Sequence, residues 1–294
     1  MPKQKSDISG VPIGITYAGP VTWTIVKGVS IAASDAAVES MYAGSKLVND
    51  GVLQGGEFGV RFFEESPSAG FVIENRGTIA GGKFGILVLN EGTPTKVTNA
   101  KGAEITGSDN IAIGFGGAFS LKNEGKIKGD VLGETNQDSK VVNKGTIKGD
   151  VYVGSGDDVF QTKGKGKAGI VDLGAGNDTM VFGSKADSYQ FSSTLDASTN
   201  VDRLKKFESG KDKLILLDGV FGALDTGSLP ASAFRQGKAA KDGDDHIIYD
   251  KKTGALYYDP DGVGGAAQVQ FAKLDKGAKL KASDFTVTTY DFLI

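Results

Sequence analysis

The sequence predicts an all-β chain: a right-handed parallel β-helix that continues into a roll of tight glycine turns and ends in an antiparallel β cap. Three observations predict the β-helix and the roll. An Asn-x-Gly unit recurs along the first half, a Gly-x-Gly-x-Asp turn occurs twice near the middle, and the 294 residues include 44 Gly but only 7 Pro. Periods of about 20 to 26 residues are typical of one solenoid coil each. High glycine with little proline favours tight turns between stacked strands over disorder.

The predicted organisation follows these repeats. We expect a lead-in over 1–22, the β-helix over 23–149, the glycine-turn roll over 150–192 and the cap over 193–294. The β-helix and the roll are predicted to form one continuous solenoid. Because an open solenoid end exposes unpaired strand edges, the first coil is expected to be covered. Segment 32–43, AASDAAVESMYA, is predicted to be a helix that covers the first coil.

The first half is built on five units of the form Asn-x-Gly-x-(Ile/Leu)-x-Gly, one of which carries an insertion. Their asparagines are Asn49, Asn75, Asn99, Asn123 and Asn143, spaced by 26, 24, 24 and 20 residues. Short apolar strands follow three of the units, at 58–60, 84–88 and 111–113. Stacked amide side chains form hydrogen-bonded ladders when strands are in register. We therefore expect an asparagine ladder inside a turn, with a structural role.

Two short turns near the middle share the pattern Gly-x-Gly-x-Asp-x-apolar, in register and 20 residues apart. They read Gly154-Ser155-Gly156-Asp157-Asp158-Val159-Phe160 and Gly174-Ala175-Gly176-Asn177-Asp178-Thr179-Met180. Calcium prefers about six to eight oxygens from carboxylates and backbone carbonyls, and glycine at φ > 0 lets those carbonyls point inward. These turns therefore predict a Ca²⁺ site between two coils, with Gly154, Ser155, Gly156, Asp158, Gly174, Ala175, Gly176 and Asp178 as its residues. Asp157 and Asn177 are expected to face solvent.

The two turns match the core of the RTX nonapeptide, and the chain resembles the RTX family of calcium-binding, type I-secreted proteins. Asp138 and Asp187 lie in looser copies of the turn. Each is interpreted either as a further calcium ligand or as a solvated turn residue. The segments after residue 150 are similar to the C-terminal domain of serralysin-type metalloproteases. That resemblance implies a β-roll packed on a β cap with further calcium positions, for which Asp202, Asp212, Asp259 and Asp261 are candidates. A plain turn is the alternative for 259–262.

The two ends of the chain bear on export. The first ten residues, MPKQKSDISG, contain no apolar stretch, so no cleavable signal peptide is expected. The last five, Tyr290-Asp291-Phe292-Leu293-Ile294, resemble the C-terminal signal of type I secretion substrates. The resemblance implies a partner transporter, a secreted or cell-surface location, and folding on calcium after export, since metal binding energy becomes folding energy. The lack of cysteine excludes disulfides as the stabilising device.

Composition and motifs exclude several function classes. The net charge of −3 and the pI near 5.4 do not suggest a nucleic-acid partner. No apolar stretch approaches the length of a membrane span. The protease chemistry of the serralysin relatives needs His-Glu-x-x-His and a third His, whereas His246 is the single histidine. We expect His246 at the surface, at the start of a strand.

Two functional hypotheses follow from these patterns. The first is a non-enzymatic, calcium-stabilised solenoid with a surface, adhesion or matrix role. The second is a β-helix that binds or modifies a polysaccharide, with the RTX half serving export. For the second, the candidate groups are Arg61, Glu64 and Glu65 in a predicted inter-coil loop, with Arg76, Lys83 and Asp109 on nearby coils. A charged and aromatic groove from Arg61 to Arg76 would separate the two hypotheses.

Overall fold

The computed structural model describes residues 1–63, 69–90 and 93–289, and it confirms an all-β solenoid of parallel sheets. Helix in the described residues is limited to two 3-10 turns, Ala231–Ala233 and Ala282–Asp284. The chain divides into two compact units, which together contain about nine solenoid turns. Unit 1 comprises residues 1–154 with 165–169, and unit 2 comprises 155–164 with the residues from 170 onward. Glu64, Glu65 and the segment 290–294 lie outside the described residues.

Unit 1 is a stack of coils, each contributing a strand to two parallel sheets. The first sheet pairs its strands in the order β1 (Lys3–Gln4), β3 (Thr22–Ile25), β5 (Lys46–Asn49), β8 (Val72–Asn75), β11 (Thr95–Asn99), β13 (Phe119–Asn123) and β15 (Lys140–Asn143). The second contains β2 (Ile8–Thr16), β4 (Ser30–Ser40), β6 (Val52–Gly55), β7 (Phe58–Phe63), β9 (Thr78–Gly81), β10 (Phe84–Leu89), β12 (Glu104–Phe115), β14 (Lys126–Thr135), β16 (Thr146–Ile147) and β17 (Val151–Gly154). Strands β1 and β2 show that pairing begins within the predicted lead-in.

The core of unit 1 follows from this register. In the first sheet, one fully buried aliphatic side chain per coil stacks on the next: Leu47, Ile73, Val97, Leu121 and Val141. In the second sheet, Leu53, Ile79, Ile105, Ile127 and Ile147 form the facing stack. β-branched and leucine side chains suit such half-buried pleated surfaces. The apolar position of the Asn-x-Gly-x-(Ile/Leu) unit therefore specifies the core.

The expected helix over 32–43 is wrong, because most of this segment lies in strand β4. Its residues Ala36, Ala37 and Val38 are fully buried. Strand β4 pairs with β2 on one side and with β6 and β7 on the other, so these small side chains lie in a paired part of the sheet. Helix propensity is a weak prior that tertiary context overrides, and here the pairing of strands on both sides wins. The expected loop at Arg61 is likewise the end of strand β7.

Unit 2 also contains two sets of parallel strands. One runs β18 (Val159–Thr162), β20 (Thr179–Val181), β22 (Asp202–Lys205) and β28 (Val269–Leu274). The other runs β19 (Ile170–Asp172), β21 (Ser188–Phe191), β23 (Lys213–Leu217) and β29 (Phe285–Thr288). Antiparallel pairs join them: β28 with β27 (Ala255–Tyr258), β27 with β26 (Ile247–Asp250), and β29 with β24 (Gly227–Ser228). Strand β25 (Phe234–Gln236) pairs in parallel with β26.

Aromatic rings fill the core of unit 2. Phe271 packs edge-on against Phe191 with ring centroids 4.9 Å apart, and against Phe221 at 5.2 Å. Phe221 also packs on Tyr258 at 5.1 Å, and the Tyr258 hydroxyl accepts a hydrogen bond from the backbone N–H of Ala223. Edge-to-face pairs of this kind add stability beyond their buried area. This cluster links strands β21, β27 and β28 around one centre.

Candidate metal site and its surroundings

The asparagine ladder in unit 1 is confirmed. Each amide nitrogen, from Asn49 to Asn123, donates to the amide oxygen of the next asparagine at 2.9 Å. The last one, Asn143, donates instead to the carbonyl of Lys167 at 2.9 Å. All five side chains are fully buried. The ladder satisfies polar groups that would otherwise be costly to bury, so it stabilises the turn.

The glycine of the Asn-x-Gly unit is required by close packing of successive coils. A Cβ added at Gly77 would lie 2.0 Å from the carbonyl oxygen of Gly51, and one at Gly145 would lie 2.0 Å from that of Gly125. No side chain fits at those distances. Asparagine and glycine therefore act together, because the glycine lets the coils approach closely enough for the amides to meet.

The two Gly-x-Gly-x-Asp turns adopt the backbone that the sequence predicts. Gly154 and Gly156 have φ values of 114° and 125°, and Gly174 and Gly176 have values of 87° and 137°. Such positive values favour glycine. Within unit 2, Ser155 and Ala175 form a parallel bridge, and the N–H of Gly156 donates to the carbonyl of Ala175 at 2.9 Å. The turns of residues 155–158 and 175–178 are therefore in register.

Three aspartates stack on one edge of unit 2, and we call Asp158, Asp178 and Asp202 the aspartate column. The backbone N–H of Asp158 donates to Oδ1 of Asp178 at 2.7 Å, and the N–H of Asp178 donates to Oδ1 of Asp202 at 3.1 Å. All three residues are at most 3% exposed. The other oxygen of Asp178, Oδ2, is buried and has no hydrogen-bond partner among the described residues. The aspartate column therefore contains a buried carboxylate oxygen that no hydrogen-bond donor among the described residues satisfies.

Burial changes the acidity of the aspartate column. Loss of solvent, followed by the nearby charge of Asp202, raises the pKa of Asp178 to about 9. Loss of solvent likewise raises the pKa of Asp202 to about 7, although a hydrogen bond from the Tyr189 hydroxyl at 2.8 Å opposes the shift. A buried carboxyl without a cation favours its neutral form. The ionised column therefore requires a positive partner.

Two polar residues on the neighbouring strands interact with the column: Tyr189 through a hydrogen bond to Asp202, and Asp172 through its like charge, which adds to the effect of burial in raising the pKa of Asp202. Asp172 is buried, and its carboxylate accepts hydrogen bonds from the N–H of Gly174 at 3.0 Å and from the amide of Gln190 at 3.2 Å. Tyr189 is buried beside Asp202, and burial raises the pKa of its hydroxyl well above the usual value. The hydroxyl therefore remains a proton donor that holds Asp202 in place.

A second aspartate column lies elsewhere in unit 2 and consists of Asp187, Asp212 and Asp284, all buried. The N–H of Asp187 donates to Oδ1 of Asp212 at 3.2 Å, and the N–H of Gly210 donates to Oδ1 of Asp284 at 2.8 Å. Each remaining oxygen accepts a backbone N–H three or four residues upstream, from Gly183, Glu208 and Lys281 respectively. Unlike Oδ2 of Asp178, these oxygens all accept hydrogen bonds. Each aspartate of the second column therefore stabilises the turn that precedes it.

The predicted ligand positions thus fall into different settings. Asp158 and Asp178 come together, while Asp187 belongs to the second column and Asp138 is exposed in unit 1, in the turn before β15. Asp259 is buried, and Asp261 is exposed in a turn where it accepts the N–H of Ala266 at 3.1 Å. Among the described residues, no three His, Asp or Glu side chains converge as a preformed metal cluster. A hard cation here would complete its ligands with backbone carbonyls or water.

Sequence reasoning missed some members of the two columns. Asp202 and Asp212 follow only from the serralysin resemblance, and no sequence pattern points to Asp284 or to Asp172 near the first column. Asp202 lies 24 residues after Asp178, not 20, so a fixed repeat length does not find it. Asp284 lies 74 residues after its donor, Gly210. The apolar residue two positions after Asp178 and after Asp202, Met180 and Leu204, is the shared signal that could have found the longer coil.

The charged groups considered for a polysaccharide groove are largely neutralised. The Arg61 guanidinium bonds to both Asp35 and Glu39, and its Nη2 lies 2.8 Å from Asp35 Oδ2. Arg76 pairs with Glu74 at 2.9 Å, and Lys83 pairs with Glu57 at 2.9 Å. Glu64 and Glu65 lie outside the described residues. His246 is half-buried just before β26, where its Nδ1 lies 2.8 Å from the carbonyl oxygen of Asp259.

No helix among the described residues has the length and apolar character needed to cross a membrane. Comparison with known proteins adds no assignment, since neither a family model nor a curated protein matches this chain.

Proposed function

We propose that this protein is a secreted, calcium-binding solenoid of the RTX type, non-enzymatic, with a surface, adhesion or matrix role. The observation that carries the proposal is the buried Oδ2 of Asp178, which has no hydrogen-bond partner among the described residues and lies in a column of three aspartates. Leaving a buried acceptor unsatisfied is costly. A bound cation would remove that cost and would also favour the ionised carboxylates.

The donor set fits calcium. The groups available at the turns are carboxylate and backbone carbonyl oxygens, which hard divalent cations prefer. Asp158 and Asp178 would provide the charged ligands, and residues 155–156 and 174–176 would provide carbonyls from turns in which Gly156, Gly174 and Gly176 have positive φ. Asp202 would contribute charge from the next coil. Bound calcium would supply positive charge to the buried carboxylates, and the chain would supply turns already in register.

The proposal extends to the regions on either side of the turns. We infer an RTX β-roll over 150–192 and a β cap over 193–294, and the antiparallel pairing of β26, β27 and β28 supports the second inference. Asp187 in the second column already has hydrogen-bond donors on both oxygens, so it fits a structural role better than a ligand role. Asp138 retains both interpretations, a further calcium ligand or a solvated turn residue.

Calcium binding would also provide a folding switch. Without the ion, the column carries either buried charge or protonated carboxyls, and metal binding energy would add directly to folding energy. A chain that folds fully only at high external calcium suits export in an unfolded form. Type I export through the C-terminal segment 290–294 is part of this proposal, and it rests on the sequence resemblance alone.

A calcium titration tests the proposal. The purified protein, in chelator-treated buffer, is titrated with Ca²⁺ while circular dichroism, melting temperature and binding heat are followed. We expect β signal and melting temperature to rise at about 0.1–1 mM calcium, the range of extracellular calcium modules. Magnesium at equal concentration is the matched control. A protein that is fully folded in chelator and shows no calcium heat would overturn the proposal.

A further inference from the structure

The surface of unit 2 contains a cleft of about 590 Å³ that the calcium turns do not explain. Four cationic side chains line it: Arg203, Lys205, Lys273 and Lys276. All four are exposed, and none has a carboxylate within 4.0 Å in the part of the chain that the structure describes. The protein as a whole carries a net charge of −3. A concentration of unpaired cations in an acidic protein indicates an anionic ligand.

Strand register places these cations together. Arg203 and Lys273 are direct neighbours on the paired strands β22 and β28. Lys205 follows Arg203 by two residues, so both point to the same face of the sheet. Neighbouring strands lie about 4.8 Å apart and alternate residues about 7 Å apart. The cations therefore form a two-dimensional array with short spacing, which suits charges repeated along a polymer.

Arg203 gives the strongest indication of an anionic ligand among these four cations. Elsewhere in the described residues, Arg61, Arg76 and Arg235 each have a carboxylate within 4.0 Å. Arg203 has none. A guanidinium presents a planar fork of donors that matches a carboxylate or a sulfate. An unpaired arginine among lysines is a suitable anchor for such a group.

The cleft also contains fixed hydrogen-bonding groups. Asp157 Oδ1 accepts the N–H of Asn177 at 2.8 Å, and Asn177 Oδ1 accepts the N–H of Val201 at 3.2 Å. Asp275 Oδ2 accepts the N–H of Lys206 at 2.8 Å, which holds the turn after β28. These bonds orient the Asp157, Asn177 and Asp275 side chains. A wall of two carboxylates and an amide provides acceptors for hydroxyl groups between the cations.

From this combination we infer that the cleft binds an anionic polysaccharide, through its carboxylate or sulfate groups on the cations and its hydroxyls on the acidic and amide side chains. Nucleic acid fits less well, because no aromatic side chain among the described residues that line the cleft is available to stack on a base. The inference goes beyond calcium binding and does not depend on it. It also assigns glycan contact to unit 2 and not to the neutralised residues around Arg61 in unit 1.

Binding to defined polymers tests the inference. The intact protein is titrated with oligomers of a polyuronate and of a sulfated glycosaminoglycan, which separate carboxylate from sulfate recognition. Neutral dextran, duplex DNA and anionic vesicles are measured alongside. We expect binding to at least one anionic glycan that weakens between about 50 and about 200 mM salt. Failure to bind either glycan, or tighter binding of dextran, DNA or vesicles, would overturn the inference.

Charge-reversal variants locate the site. Arg203→Glu/Lys273→Glu should weaken glycan binding about tenfold or more, because it replaces attraction by repulsion at the array. Lys205→Glu/Lys276→Glu, in the same cleft, should act alike and covers the case in which the first variant folds poorly. The matched control is Lys27→Glu/Lys101→Glu, two exposed turn lysines of unit 1 with the same change in net charge. An equal loss in the control would show a non-specific charge effect and refute the assignment. All variants should keep the wild-type response to calcium.

Discussion

The backbone N–H of Asp158 donates a 2.7 Å hydrogen bond to Oδ1 of Asp178, which lies 20 residues later in the chain. This bond joins two coils and leaves Oδ2 of Asp178 buried without a hydrogen-bond partner among the described residues. One oxygen therefore serves the fold while the other is available for a ligand. The predictions below separate these two roles.

Replacing Asp178 should separate folding from calcium binding. Asp178→Asn keeps an acceptor oxygen for the N–H of Asp158 but removes the negative charge. In chelator we expect stability equal to or above that of wild type, since burial already favours the neutral carboxyl. Calcium should then add little to the melting temperature. Calorimetry with and without calcium measures both effects, with the exposed Asp225→Ala as control. A full calcium response in Asp178→Asn would contradict the ligand role.

The raised pKa of Asp178 predicts a pH effect of definite sign. Burial raises this pKa from 3.8 to about 9, so the folded state binds more protons than the unfolded state between those values. In chelator, the contribution of Asp178 should be complete below about pH 4 and decline as the pH rises towards 9, by at most about 1.4 kcal/mol per pH unit. Denaturant unfolding of wild type against Asp178→Asn isolates this contribution. Because the variant lacks this titration, wild type should lose stability relative to Asp178→Asn as the pH rises. A wild type that gains stability relative to the variant with rising pH would refute the direction of the shift.

Calcium binding should in turn release protons. If the ion binds ionised Asp178, it must displace a proton at neutral pH, and apparent affinity should rise between pH 7 and 9. Titration calorimetry in two buffers of different ionisation enthalpy measures the protons released. An affinity independent of pH would show that Asp178 is not among the ligands.

The second aspartate column should stabilise the fold without calcium. Asp212→Ala removes the acceptors for the N–H groups of Asp187 and Glu208. We expect a loss of about 2 kcal/mol or more, because buried donors are left unsatisfied, and the loss should be equal in chelator and in calcium. Urea unfolding in both buffers tests this, with the exposed Asp225→Ala as control. A loss seen in calcium alone would reassign this column as a metal site.

The buried asparagine ladder should stabilise the fold, whereas an exposed asparagine should not. Asn99 accepts from Asn75 and donates to Asn123 at 2.9 Å, so Asn99→Ala breaks the ladder in its middle. We expect a loss of about 3 kcal/mol in the free energy of unfolding, from orphaned amides in a buried stack. Asn136→Ala, at an exposed turn position, should change stability little. Urea denaturation followed by circular dichroism compares them, and equal losses would show that the ladder contributes nothing special.

The sequence by itself determined the repeat in unit 1. Spacing of the Asn-x-Gly units predicted the coil length and the ladder from Asn49 to Asn143. These features were predictable because each depends on one residue per coil that contacts the equivalent residue of the next coil. The glycine turns were predictable for the same reason, because only glycine accepts a φ of 125° or 137° without strain.

Tertiary structure decided what no repeat encodes. Segment 32–43 became a strand because β2, β6 and β7 pair with β4 on both sides. Asp202 and Asp284 joined their columns across 24 and 74 residues, distances set by how the chain returns. The Arg203 and Lys273 neighbours arise from the pairing of two strands far apart in the chain. These contacts join residues that are separated by long and unequal stretches of chain. A sequence repeat can predict only contacts between residues that recur at a constant interval, so it could not predict them.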